Sequence, residues 1–174
     1  MGRGQSCSSA KAAISYAAVM QIHLIAVGNR MPTWVNQGFE EFARRMPLEC
    51  RLNLIEIPAA KRTKAADIKR LVRQEGERML EALPKNAMVV ALDVTGRQWQ
   101  TEELAQQLGN WMHEGRDIAL LVGGPEGLAP ICRDKAERSW SLSALTFPHP
   151  LVRIIVAEQL YRATTILKHH PYHK

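Results

Sequence analysis

The sequence predicts an α/β fold, a parallel sheet covered by helices on both faces. Three observations carry this. Short apolar runs recur at residues 22–27, 52–57, 88–92 and 118–122. Longer segments between them repeat their apolar residues at helical spacing. Gly28, Pro58 and Gly123 stand directly after three of the runs, where a strand would end. Near-continuous apolar strands that alternate with helices are strands buried on both faces.

Taken in order, the chain opens its pattern at Met20, and residues 22–27 (Ile-His-Leu-Ile-Ala-Val) read as a strand. Residues 32–45 place Trp34, Val35, Phe39 and Phe42 along one side of a helix, with Pro32 near its first turn. Residues 52–57 are a second strand. Residues 61–83 read as a helix with Ile68, Leu71, Val72, Met79 and Leu80 on one side. Residues 88–92 form a third strand. Residues 101–113 are a helix opened by Thr101-Glu-Glu, with Leu104 and Leu108 inward. Residues 118–122 are a fourth strand, 130–138 a short helix, 140–146 a fifth strand and 151–167 a closing amphipathic helix.

A chain of 174 residues is one ordinary domain. Residues 20–174 are read as that domain. Residues 1–19 contain Arg3 and Lys11, no acid, and much Ser, Ala and Gly, and are expected to be a loose tail. Two readings of it stand. Either Met20 is the true start and the protein is cytoplasmic, or the segment is an acid-poor organellar transit sequence. No apolar run approaches the roughly 18 residues that cross a bilayer, so no membrane partner is expected. Cys7, Cys50 and Cys132 are far apart without a CxxC, which excludes a disulfide scaffold and argues against zinc. The net charge of +6 suits a polyanionic partner, though many enzymes of neutral substrates carry as much.

In parallel sheets, ligands bind beyond the carboxyl ends of strands. Those ends fall at Leu92-Asp93, at 122–127 and at 145–147. The run Val-Gly-Gly-Pro-Glu-Gly-Leu (122–128) holds three glycines in five residues, which permit a tight turn and close approach of a ligand. It lacks GK[ST] and GxGxxG, so Walker and dinucleotide loops are excluded, while a plain strand-to-helix turn stays open. Residues 139–153 join a hydroxyl-rich strand to Pro-His-Pro, making His149 a candidate base or a turn residue. The last helix carries Glu158, Tyr161 and Arg162, followed by His169-His170-Pro-Tyr-His-Lys. That spacing is not a usual zinc site and no metal is expected. A flexible basic-aromatic tail that touches nucleic acid or the active site fits better. Residues 59–78 hold seven basic and three acidic side chains, among them Lys61, Arg62 and Lys64. They read as a phosphate-contacting stripe or as a solvated helix face.

Five segments together carry a family resemblance: Leu-Ile-Ala-Val-Gly (24–28), Ile-Glu-Ile-Pro-Ala-Ala-Lys-Arg (55–62), the glycine loop (122–128), residues 139–153, and His-Pro-Tyr-His (170–173). In combination they resemble the small SPOUT methyltransferases, and more narrowly the branch that methylates N3 of pseudouridine in large-subunit ribosomal RNA. Ala60 and Thr63 stand where many members have glycine, a difference confined to that loop. The resemblance implies a C-terminal trefoil knot, a homodimer, and S-adenosylmethionine bound in the knot. By position its pocket would be Leu92, Gly123, Gly124, Leu142, Ser143, Ala144, Leu145, Thr146 and Phe147. Ribosomal RNA on the ribosome would be the partner.

The chemistry then asks for positioning and for help with one proton, because N3 is a weak nucleophile until deprotonated. His149, Glu158 and Tyr172 are candidates for proton handling or base placement. Arg153 or Arg162 would favour the developing negative charge. Lys61, Arg62, Lys64 and Arg153 are the expected RNA contacts. Two rivals remain at this level: a non-catalytic RNA-binding protein, and a small hydrolase using Ser141 or Ser143 with His149, which lacks the GxSxG elbow.

Overall fold

The computed structural model describes residues 19–63 and 67–173. Residues 1–18 of the expected tail 1–19, together with Lys64 and Lys174, lie outside the described residues. Strands β1 (Met20–Val27), β2 (Cys50–Ile57), β3 (Met88–Gln98), β4 (Ile118–Val122) and β5 (Arg138–Ser141) alternate with helices. The helices are α1 (Thr33–Ala43), α2 (Ile68–Glu81), α3 (Thr101–Glu114), α4 (Pro130–Lys135) and α5 (His149–Leu167). One five-stranded sheet runs in the order β2-β1-β4-β3-β5, and every pairing is parallel.

Each central strand feeds two cores by alternation. Leu24, Val90 and Leu120 face a core completed by Phe39, Leu108, Trp111 and Leu160 of α1, α3 and α5. Ile25, Val89 and Leu121 face a second core with Met79 and Cys132 of α2 and α4. Full burial of each Leu or Val contributes about 1.5–3 kcal/mol. The crossovers through α1 and α3 step one way along the sheet, and those through α2 and α4 step the other way from the opposite face. A single crossover handedness produces that segregation.

Several boundaries differ from the sequence reading. Helix α2 begins at Ile68, not Lys61, because Asp67 caps it by accepting a hydrogen bond from the Arg70 amide at 3.2 Å. Helix α4 stops at Lys135, and the Glu137 amide already bonds Val89 O at 2.8 Å to start β5. Strand β5 ends at Ser141 rather than Thr146, since its hydroxyls bond their own backbone. Ser141 Oγ donates to Ser143 O at 3.1 Å, and Leu145 N donates to Ser143 Oγ at 3.0 Å. Strand β3 continues past Leu92: both Leu92 and Arg97 register with Trp140, so residues 93–96 bulge out between them. Helix α5 starts at His149, with Pro150 in its first turn.

Candidate active site

Strand ends β3, β4 and β5 converge on one cleft of about 710 Å³, within the range of small-molecule sites. Three backbone devices shape it. A Cβ on Gly123 would sit 2.3 Å from the carbonyl carbon of Gly127, so only glycine lets the loop fold this tightly on itself. Gly127 takes φ +82°, and its amide bonds Gly124 O at 2.9 Å. The β3 bulge closes at Gly96, where a Cβ would stand 2.8 Å from Ser139 and Trp140 backbone atoms. The hydroxyl turn after β5 and Pro148 then lead the chain back over the cleft into α5.

Eight of the nine positions expected to hold a cofactor line this cleft: Leu92, Gly123, Gly124, Leu142, Ser143, Leu145, Thr146 and Phe147. Ala144 does not line it and is exposed. Trp140, stacked on Trp99 at 5.3 Å, supplies a flat apolar wall. Asp93 and Arg133 bring charge to the lining, and sequence reasoning singled out neither side chain.

The family model described as "Predicted SPOUT methyltransferase" matches residues 20–173. "Ribosomal RNA large subunit methyltransferase H" of Thioalkalivibrio sulfidiphilus is 63% identical over 155 residues, covering 89% of this chain and 99% of its own. The protein of the same name from Methylococcus capsulatus is 61% identical over 155 residues, covering 89% and 100%. This chain belongs to the SPOUT methyltransferase family. Two solved structures share its fold. A probable methylase family protein from Haemophilus influenzae has TM-score 0.51 at 14% identity, with 90% of this chain and 71% of that one covered. A probable methyltransferase from Bordetella pertussis has TM-score 0.54 at 16% identity, with 85% and 96% covered.

In this SPOUT methyltransferase the four candidate catalytic residues divide into two places. His149 lines the cleft, and its Nδ1 is buried without a partner among the described residues. Burial holds its pKa below the ordinary value, helped by the nearby Arg153 and Arg62 charges, so the imidazole is neutral at pH 7. Glu158, Arg162 and Tyr172 instead gather on α5 and the last turn, outside the cleft lining. Arg162 donates to Glu158 Oε1 at 2.9 Å, Tyr172 Oη donates to the same oxygen at 3.3 Å, and the guanidinium lies 5.1 Å above the Tyr172 ring. Burial and the Glu158 charge raise the Tyr172 pKa, so its hydroxyl stays protonated. The C-terminal basic-aromatic segment, expected to be flexible, is docked at Tyr172: Pro171–His173 form a 3-10 turn, and Tyr172 meets Tyr161 edge-on at 4.8 Å.

The expected RNA cations also divide. Lys61 is exposed, ahead of α2. Arg62 turns inward, 3.3 Å from Glu75, whose side chain is 3% exposed. Arg153 is corrected from an RNA contact or charge stabiliser to an internal tie. It is 1% exposed, donates to Glu56 Oε1 at 2.7 Å and Val27 O at 3.2 Å, and also donates to Gly28 O. A buried guanidinium with those partners reaches neither solvent nor the cleft. The serine-hydrolase reading fares no better, because the Ser141 hydroxyl is spent on the turn and pairs with no histidine among the described residues.

Proposed function

We propose that this SPOUT methyltransferase transfers a methyl group from S-adenosylmethionine to N3 of a pseudouridine in large-subunit ribosomal RNA. It acts on the assembled ribosome, as a cytoplasmic homodimer with a knotted C-terminal segment. The observation that carries the reading is the cleft, whose walls coincide with eight of the nine cofactor positions the family resemblance implies. The near full-length likeness to relatives named ribosomal RNA large subunit methyltransferase H supports the substrate class.

The residues present fit such a cofactor. The lining is largely apolar, which suits an adenine ring, and the tight glycine loop offers backbone groups along one wall. When bound, the sulfonium supplies a methyl group already activated for transfer. What remains for the protein is to exclude water, hold the target base in line, and accept the N3 proton. His149 is the candidate for that proton, being neutral and part of the cleft lining. Glu158, Arg162 and Tyr172, outside their own cleft, suit a second role: completing the partner subunit's site and favouring negative charge on the deprotonated base. Lys61 and Lys64, with the exposed Lys69 and Arg70 on α2, would hold RNA phosphates.

Methyl transfer from labelled cofactor to assembled ribosomes and to free subunits, with mass mapping of the product, tests this. One methylated pseudouridine in the large-subunit RNA is expected. Transfer to a different nucleotide, or none, refutes the substrate assignment.

A further inference from the structure

We infer that Asp93 reads one ribose hydroxyl of the nucleoside bound in the cleft, and that Arg133 holds the carboxylate in place for it. This rests on the S-adenosylmethionine reading above. Asp93 leaves β3 at the start of the 93–96 bulge and lines the cleft, its side chain only 8% exposed. A carboxylate this enclosed needs donors. Thr95 supplies two to Oδ1, from its amide at 2.9 Å and its hydroxyl at 2.7 Å. Arg133 Nε donates to Oδ2 at 2.6 Å. Burial alone would raise the pKa of Asp93, but the Thr95 bonds and the Arg133 charge outweigh it and hold the group ionised.

A carboxylate has about four acceptor positions. Three are filled, and the remaining one is on Oδ2. The Arg133 guanidinium reaches across from this pair to the glycine loop, Nη2 lying 3.8 Å from where a Gly127 Cβ would stand. The pair therefore bridges two walls of the cleft. Val94 and Leu145, 69% and 70% exposed, add apolar surface to the lining of the same cleft.

Electrostatics selects the donor. An ammonium placed on Oδ2 would lie against a guanidinium and be repelled. A neutral hydroxyl meets no such penalty, and an acidic residue at a strand end that takes a ribose hydroxyl is a recurrent arrangement in nucleotide-binding sheets. The methionine tail of the cofactor is thereby directed away from Asp93.

Calorimetry on the full chain separates these possibilities without measuring turnover. The probes are S-adenosylhomocysteine, 5′-methylthioadenosine, which lacks the amino-acid tail, and the 2′-deoxy and 3′-deoxy forms of the latter. Wild type should bind one of the two deoxy forms about tenfold more weakly than their parent. Asp93→Asn should weaken S-adenosylhomocysteine and 5′-methylthioadenosine by the same factor and no longer distinguish that deoxy form. Arg133→Met, which leaves Asp93 held by Thr95 alone, should reduce the distinction to about a few-fold without abolishing it. Equal wild-type affinity for parent and both deoxy forms overturns the inference, whether or not Asp93→Asn folds. So does a loss in Asp93→Asn confined to the tailed ligand, while a distinction undiminished in Arg133→Met overturns the positioning role of Arg133. Wild type that binds none of these probes removes the S-adenosylmethionine reading of the cleft, and this inference with it.

Discussion

Replacing Arg153 by Met separates an internal tie from an RNA contact. The side chain bridges α5 to the carboxyl ends of β1 and β2 through Val27 O, Gly28 O and Glu56. Methionine keeps the apolar stem and removes the charge. Two carbonyls then lose a donor, at about 1–3 kcal/mol each where no water replaces it. Glu56 has 34% of its side chain exposed and can turn to water, so its loss adds little. The unpartnered Arg153 Nε disappears too, a partial gain. The net expectation is about 2–4 kcal/mol of lost stability, breaking a buried pair being costly when one charge goes. At about 2–4 °C per kcal/mol for a chain of this size, the melting temperature should fall by about 8 °C. Urea denaturation followed by tryptophan fluorescence, at fixed protein concentration, measures it. A variant that stays within about 0.5 kcal/mol of wild type but loses ribosome affinity, with a flatter salt dependence, would refute the internal-tie account.

Gly123→Ala should abolish cofactor binding and lower stability, because the new Cβ meets loop backbone at 2.3 Å. Calorimetry and thermal melts check both, and an unchanged affinity would mean the loop opens freely. His149 is held neutral below its unfolded pKa, so the unfolded chain takes up its proton first and the folded state loses stability as pH falls below about 6.5. His149→Gln should flatten that decline between pH 6.5 and 5, read by urea midpoints across the range. Lys61→Ala combined with Lys69→Ala should weaken ribosome binding and reduce its salt slope by about one per lost phosphate contact, with cofactor affinity unchanged. Tyr172→Phe should leave stability within about 1 kcal/mol, since its bond to Glu158 is partly solvated, while turnover on ribosomes drops.

The strands most legible in the sequence are those whose burial is continuous. β4 matches its expected bounds because every residue from Ile118 to Val122 is buried. β5 was overrun because alternation cannot show that Ser141 and Ser143 will bond locally. The second part of β3, residues 95–98, carries no apolar signal, and only Arg97 and Gln98 of it pair again after the bulge. The cleft was largely legible, since glycine spacing and strand ends are local features. Arg153 was not: periodicity places it on α5 but cannot show that carbonyls 125 and 126 residues away face it. The Asp93–Arg133 pair joins residues 40 apart. Its one local clue was Asp-x-Thr, the spacing of a side chain that bonds the amide two residues on.

Strand β5 and the turn after it are the last of the three cleft walls to leave the ribosome during synthesis. A nascent chain that ends after β4 has the four strands β2-β1-β4-β3, Leu92 and the start of the glycine loop, yet lacks the β5 wall of the cleft. The nucleoside affinity proposed for this cleft would thus arrive late, with residues 138–149, after four strands of the sheet can already assemble. Ligand that binds only the completed cleft pulls the equilibrium toward the docked C-terminal segment by mass action. The cofactor supply in the cell would then act on how much of this protein is held in its completed form, as well as on how fast it works.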